Sequence, residues 1–169
     1  MKSVLRGLGK LLAGLAVAFL LVVVVARFQD GPFGPIAGGP FESGDWVETS
    51  GLDWSFVTDL DTVEFQLLDP ARSRTVWAVV HDGSVYIPCG VPHFTLWKQW
   101  PHEALADGRA VIRSAGKRYA VNLVKADAAA ERAAVLALVG DKYGQTALDG
   151  EDPGDLVWVF RLDARAADS

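Results

Sequence analysis

Residues 11–26 read LLAGLAVAFLLVVVVA, a run with no charge and no proline. A water-soluble domain has no use for such a run at its N-terminus, so this stretch fixes where the chain lives. A spanning helix takes about 20 apolar residues, within a range of about 17–25. Leu8 and Gly9 bring the run to that length if Lys10 extends its ammonium back to the headgroups. Lys2, Arg6 and Lys10 precede the run, whereas beyond Arg27 come Asp30, Glu42, Asp45 and Glu48. By the positive-inside rule the N-terminus stays in the cytoplasm and the rest is carried across. The expectation is a single-pass inner (plasma) membrane protein with a periplasmic, or otherwise extracytoplasmic, domain. The alternative is a cleaved signal peptide, with Val24-Val25-Ala26 as its cleavage site. An apolar signal core is typically about 7–15 residues, shorter than this run, which favours a retained anchor. Gly9, Ala13, Gly14 and Ala18 would let another helix approach, but small residues are common in any spanning helix.

The 169 residues leave about 140 beyond the anchor, enough for one domain. The formal net charge of -5, with no basic cluster past the N-terminus, excludes nucleic acid as a natural partner. Cys89 is the only cysteine, so no disulfide within the chain staples an exported domain. Burial must do that work, and six Trp and eight Phe supply ample apolar volume.

Residues 31–44, GPFGPIAGGPFESG, hold five glycines and three prolines and exclude a regular helix or central strand. One reading is a plain linker. The other is an extended arm docked on its own domain or on a neighbouring protein, which accounts for Phe33, Ile36 and Phe41 as partner-binding side chains. Residues 46–56 mix aromatics with Gly and Asp and read as irregular. From 62 the pattern becomes β: Val63, Phe65 and Leu67 alternate with polar residues until Asp69-Pro70. TVWAVV at 75–80 reads as a buried strand, HDGS at 81–84 as a tight hairpin turn, and 85–88 as the return. A long connection carries FTLWKQW and then a short helix that starts near Pro101 and stops at Gly108. Segments 109–113 and 117–124 form a second hairpin over Ser114-Ala115-Gly116. Asp127 is a suitable N-cap for a helix that ends at Gly144, with Ala133, Leu136, Val139 and Tyr143 on one stripe. LVWVFRL at 156–162 closes the series. The expected fold is mainly β with helices (α+β). It is a small six-stranded barrel over 62–162, behind an anchor at 1–27 and an arm or linker at 28–61, with a tail at 163–169. Closing the sheet removes its exposed edges.

This order of elements, carried by VWAVVHDGSVYIPCG, WKQWPHEALADGRAVIRSAGKRYAVNLV, AERAAVLALVGDKYG and VWVFRL, resembles the flavin-type split β-barrels. These are the pyridoxamine-phosphate-oxidase-like and deazaflavin-dependent nitroreductase-like proteins. The resemblance covers roughly residues 62–162 and implies a dimer with FMN or a deazaflavin at its interface. It places Arg72, Ser73, Arg74 and Thr75 where the family holds the cofactor phosphate, and guanidinium forks with hydroxyls suit that task. It places Trp97, Lys98 and Trp100 along the cofactor pocket. The chain departs from the family in two ways. LDPARSR stands where the deazaflavin group has a glycine-rich basic loop, and an outward-facing domain lies apart from cytoplasmic flavin pools.

Other groups carry weaker chemistry. Cys89, His93 and His102 are soft ligands close in sequence, but no second pair completes a four-ligand metal site. Cys89 has no recognisable base partner and reads as a buried thiol. His81 falls in a hairpin turn. Asp149, Glu151, Asp152 and Asp155 lack the ligand spacing of a calcium loop and read as a solvated acidic loop. Two functions follow. One is a membrane-anchored accessory or binding protein, a subunit of a membrane complex. The other is an FMN- or deazaflavin-dependent oxidoreductase with Arg72, Arg74 and Thr75 on the phosphate and Trp97 and Lys98 near the ring. Whether the chain is an enzyme stays open at this point.

Overall fold

A computed structural model of the chain describes residues 2–96, 98–145 and 154–167. Helix α1 runs over Lys2–Ala26. Its segment Arg6–Ala26 is long and apolar enough to cross a membrane, and its most apolar window buries nothing against the rest of the protein. At about 1.5 Å per residue it spans about 30 Å, the thickness of a hydrocarbon core.

The rest is built on strands β1 (Asp45–Val47), β2 (Val63–Leu68), β3 (Ala71–Val76), β4 (Val79–His81), β5 (Ser84–Gly90), β6 (Arg109–Ser114), β7 (Lys117–Lys125) and β8 (Val157–Ala164), with helices α2 (Trp100–Ala106) and α3 (Ala129–Tyr143). The strands pair in the order β3-β2-β6-β7-β8-β5-β4, all antiparallel, with β1 added parallel to β7. Strands β3 and β4 lie at opposite ends of this path, yet only Trp77 and Ala78 separate them in the chain. That joint reaches about 11 Å at most, so the sheet has to roll until its ends meet. The result is a small barrel interrupted between β3 and β4.

Period-two alternation then sorts the side chains. Phe65, Leu67, Val85, Ile87, Ile112, Val121, Phe160 and Leu162 fill the interior. Tyr86 and Val159 point outward beneath α3, where Val135, Leu136 and Val139 cover them. α2 lays Trp100 and Ala104 into the interior from one end. Both tight hairpins have the left-handed pair that such turns demand: Asp82 and Gly83 at φ 48° and 74°, Ala115 and Gly116 at 49° and 73°.

The α+β class and the barrel strands agree with the sequence pattern, but eight strands form among the described residues where six were expected. The segment read as one strand, 75–80, is two. Ala78 gives its N–H to the Tyr143 hydroxyl, and its carbonyl accepts from Tyr143 and Lys142 of α3, so neither group is free for a ladder. The strand β1 falls where irregular chain was expected. Helix α3 is not capped by Asp127; Ala128 occupies the cap position without a side-chain bond. Its buried stripe is Val135, Leu136, Val139 and Gly140, so Ala133 sits to one side.

The segment between α1 and β1 is docked on the barrel. Gly38 exchanges backbone bonds with Ser73 on the outer edge of β3. The Ser73 hydroxyl donates to the Gly39 carbonyl at 2.6 Å, and the Phe41 N–H donates to the Gln66 side chain. Glycine is required at 38 because a Cβ there would lie 1.7 Å from the Gly31 carbonyl oxygen.

Phe160 is fully buried, whereas Phe33 is exposed. Phe160→Ala should lower stability by about 3–5 kcal/mol, and Phe33→Ala should stay within about 0.5 kcal/mol of the parent. Denaturant titration of the detergent-solubilised protein, followed by near-ultraviolet circular dichroism, checks both.

Candidate functional site

Strand β3 carries the four residues assigned to a phosphate, and its pleat divides them. Arg74 pairs with Phe65 and Arg72 with Leu67, both interior residues, so both guanidiniums lie on the interior face. Ser73 pairs with Gln66 and Thr75 with Glu64, on the outer face. Ser73 is sealed under the arm by its bonds to Gly38 and Gly39. Thr75 is exposed beside a carboxylate.

At the barrel mouth Arg74 lies over the Phe65 ring, 5.6 Å from its centroid, with Nη2 3.7 Å from Glu103 Oε2 of α2. Burial lowers its pKa to about 10, against the pull of Glu103, so it stays charged at neutral pH. Glu103 Oε2 is buried without a hydrogen bond, and an incoming anion would face its charge. Lys98 is tied down, donating to the Gly90 carbonyl at 2.6 Å. Burial pushes the Cys89 thiol up to about 11, although Lys98 and Arg74 act to lower it, so the thiolate is scarce and the sulfur inert. Trp100 is a core residue, edge-on to Phe65 at 5.0 Å and tilted against Phe160 at 5.3 Å. Trp97 lies outside the described residues, as do Asp149, Glu151 and Asp152.

A flavin phosphate needs guanidinium and hydroxyl donors converging on one point. Arg74 and Thr75 sit on opposite faces of one strand, the Ser73 hydroxyl is spent on the arm, Lys98 is spent on Gly90, and Glu103 occupies the mouth. Within this chain Arg72 and Arg74 share the interior face, Thr75 stands apart from them, and the Ser73 hydroxyl is already occupied.

The metal candidates fare similarly. His93 and His102 flank Trp158 with ring centroids 5.4 and 5.0 Å away, and His102 Nε2 lies 3.0 Å from the Pro92 carbonyl. Among the described residues no three His, Cys, Asp or Glu side chains converge on a common point. His81 Nε2 stands 3.5 Å from its neighbour Asp82 in the turn.

The densest polar constellation lies instead where the arm meets the barrel. Arg113 of β6 donates Nε to Glu64 at 2.7 Å, Nη1 to the Asp30 carboxylate and Nη2 to the Asp30 carbonyl at 3.1 Å. Its guanidinium also covers the buried Phe41 ring at 4.2 Å. Arg118 of β7 donates to the carbonyls of Gly44 at 2.8 Å and Phe41 at 3.3 Å, and lies over Trp46. A groove of about 540 Å³ runs along this seam, lined by Asp30, Ser43, Thr62, Glu64, Arg113 and Ser114. A smaller one of about 180 Å³ lies between Phe41, Trp46, Gln66, Leu68 and Arg118. The charges along the seam are spent on one another. It is a joint, unlike the enclosed apolar cavities that take small molecules.

Of the three arm residues, Phe41 is buried in this joint, Ile36 is half-buried, and Phe33 is exposed at the tip of a turn. Arg113, Glu64 and Asp30 escaped the sequence reading because their partners lie 49 and 83 positions apart. Glu103 sits in a short helix whose placement nothing local announces.

No protein-family model matches the chain, and no curated protein does. Among solved structures, a Listeria innocua protein provisionally assigned as a pyridoxamine 5'-phosphate oxidase is similar over 64% of this chain and 86% of its own, at 12% identity and a TM-score of 0.47. A conserved hypothetical protein from Mycobacterium tuberculosis, Rv2991, is similar over 71% of this chain and 82% of its own, at 13% identity and a TM-score of 0.49.

Burial opposes ionisation of Asp30, but hydrogen bonds from Ser43, the Glu42 N–H and Arg113 outweigh it and hold its pKa at about 2, down from an ordinary 3.8. A folded value below the unfolded one means the stabilisation is complete above about pH 4 and is lost as pH falls towards 2. Asp107, held near 2 by Arg109, titrates over the same interval, so a local probe is needed. Protection of the amides across residues 29–44, measured as the chemical exchange rate over the observed one, should fall between pH 4 and 2, and Asp30→Asn should flatten that change. Gly38→Ala should loosen the same segment at neutral pH by about 1–3 kcal/mol, while Gly90→Ala, where a Cβ meets nothing within 4 Å, should not.

Proposed function

We propose that this chain is a membrane-anchored binding protein whose barrel stands on the extracytoplasmic side of the inner membrane, as an accessory subunit of a larger membrane assembly. One observation carries the reading. The arm after the apolar helix is fastened to the barrel through Arg113 and Ser73, and it covers Ser73, one of the four β3 residues where the resemblance asks for phosphate donors. A chain that spends the Ser73 hydroxyl and the Arg113 guanidinium on joining helix to barrel uses this face as a mount. The lysines and arginines ahead of the helix and the carboxylates behind it support the proposed orientation.

The oxidoreductase reading requires Arg74 to serve a phosphate, yet Glu103 is its partner. The two readings separate in native mass spectrometry of the full-length protein taken from its own membranes in mild detergent. The expected result is a flavin-free chain bound within a larger membrane assembly, unchanged by Arg74→Ala. A homodimer that carries a flavin-sized ligand and loses it on Arg74→Ala would overturn the proposal.

A further inference from the structure

We infer that the hairpin following α1, residues 28–36, lies in the headgroup boundary of the bilayer and presents Phe28 and Phe33 to lipid; this rests on the anchored reading of α1 proposed above. The apolar surface of α1 does not stop at Ala26. The N–H groups of Arg27, Phe28 and Gln29 bond to the carbonyls of Val24, Val25 and Ala26 at 3.2, 3.0 and 3.1 Å and carry the helical path onward. Phe28 then stands over Val25, three residues back, and extends the exposed side that carries Val24 and Leu21, four and seven residues back. Phe28 is 81% exposed, and the stripe below it is exposed throughout.

The chain next folds back on itself. Phe33 and Ile36 exchange backbone bonds of 3.0 Å, and the Gly39 N–H returns to the Gln29 carbonyl at 3.1 Å. Phe33 is left at the tip, 64% exposed, between Pro32 and Pro35. The hairpin has little freedom to turn its rings inward. Gly38 and Gly39 press on the carbonyls of Gly31, Arg27 and Gln29, while Arg113 and Ser73 hold the hairpin to the barrel. Phe41, on the same arm, shows the contrast: its ring is buried under Arg113.

The occupant is lipid because this surface continues the stripe of a helix that already lies in the bilayer. Charge agrees. Asp30 is the one carboxylate in the hairpin, and Arg113 neutralises it. Arg27 is exposed beside Phe28, where a cation meets lipid phosphates. Apolar side chains held this way enter about 5–10 Å below the headgroup boundary.

The test uses the full-length chain in phosphatidylcholine and phosphatidylglycerol vesicles, with an NBD fluorophore on single introduced cysteines. Cys89 is 3% exposed, so the labelled parent chain serves as the blank. Probes on Phe28→Cys and Phe33→Cys should shift to shorter wavelength and lose most of their intensity to lipids carrying a nitroxide near the headgroup. A probe on exposed Asp59→Cys should not. Leu20→Cys reports the anchor itself, through quenching by a nitroxide deep in the acyl chain. A Phe33→Cys probe that stays in water while Leu20→Cys is quenched overturns the inference and leaves the anchor standing. A Leu20→Cys probe that is not quenched removes the anchored reading, and this inference with it.

Discussion

Arg113 holds the helix-bearing arm, a barrel strand and an aromatic ring together with one planar group. Its fork reaches Asp30 on one side and Glu64 on the other, and its face covers Phe41. Arginine can do this and lysine cannot, because the guanidinium bonds in its plane and stacks on its face at once. The two carboxylates are about one-third exposed, so water takes back part of the Coulomb gain. The larger effect is positional. With Arg113 in place, Phe41 is covered, Gln66 meets the Phe41 N–H, and Gly38 lies against β3. The buried polar groups of the outer sheet are thereby satisfied by the chain's own arm.

That arrangement separates architecture from chemistry. Fold and function are independent properties. Here the pleat of β3 turns Arg74 inward towards Glu103 and Thr75 outward beside Glu64, so these two nominated donors face apart. The strand behaves as a wall: its interior face carries Arg72 and Arg74, the latter paired with Glu103, and its outer face receives the arm at Ser73.

How much of this was legible in the sequence follows from the range of each interaction. The HDGS and SAG turns, the stop at Gly144 and the apolar helix are local and could be read directly. Strand β1 could not, since Asp45 pairs with Lys117 far along the chain. Strand β3 was hidden for another reason. ARSR has no apolar alternation, because its interior face holds arginines and its outer face is covered by an arm. Without that alternation the opposite facing of Arg74 and Thr75 has no signature in the sequence. The trio of Arg113, Glu64 and Asp30 left no local trace at all.

The two-residue joint at Trp77 and Ala78 has one more consequence. Where β3 and β4 fail to pair, the end of α3 fills in: Trp77 stacks on Tyr143 at 4.5 Å and 9°, the Tyr143 hydroxyl bonds to Asp61 and Ala78, and Lys142 bonds to Val57 and Ala78. The cylinder is thus fastened by a clasp of two side chains rather than by a row of rungs. The wall of this barrel is therefore closed at that gap by the last turn of α3 and not by paired strands.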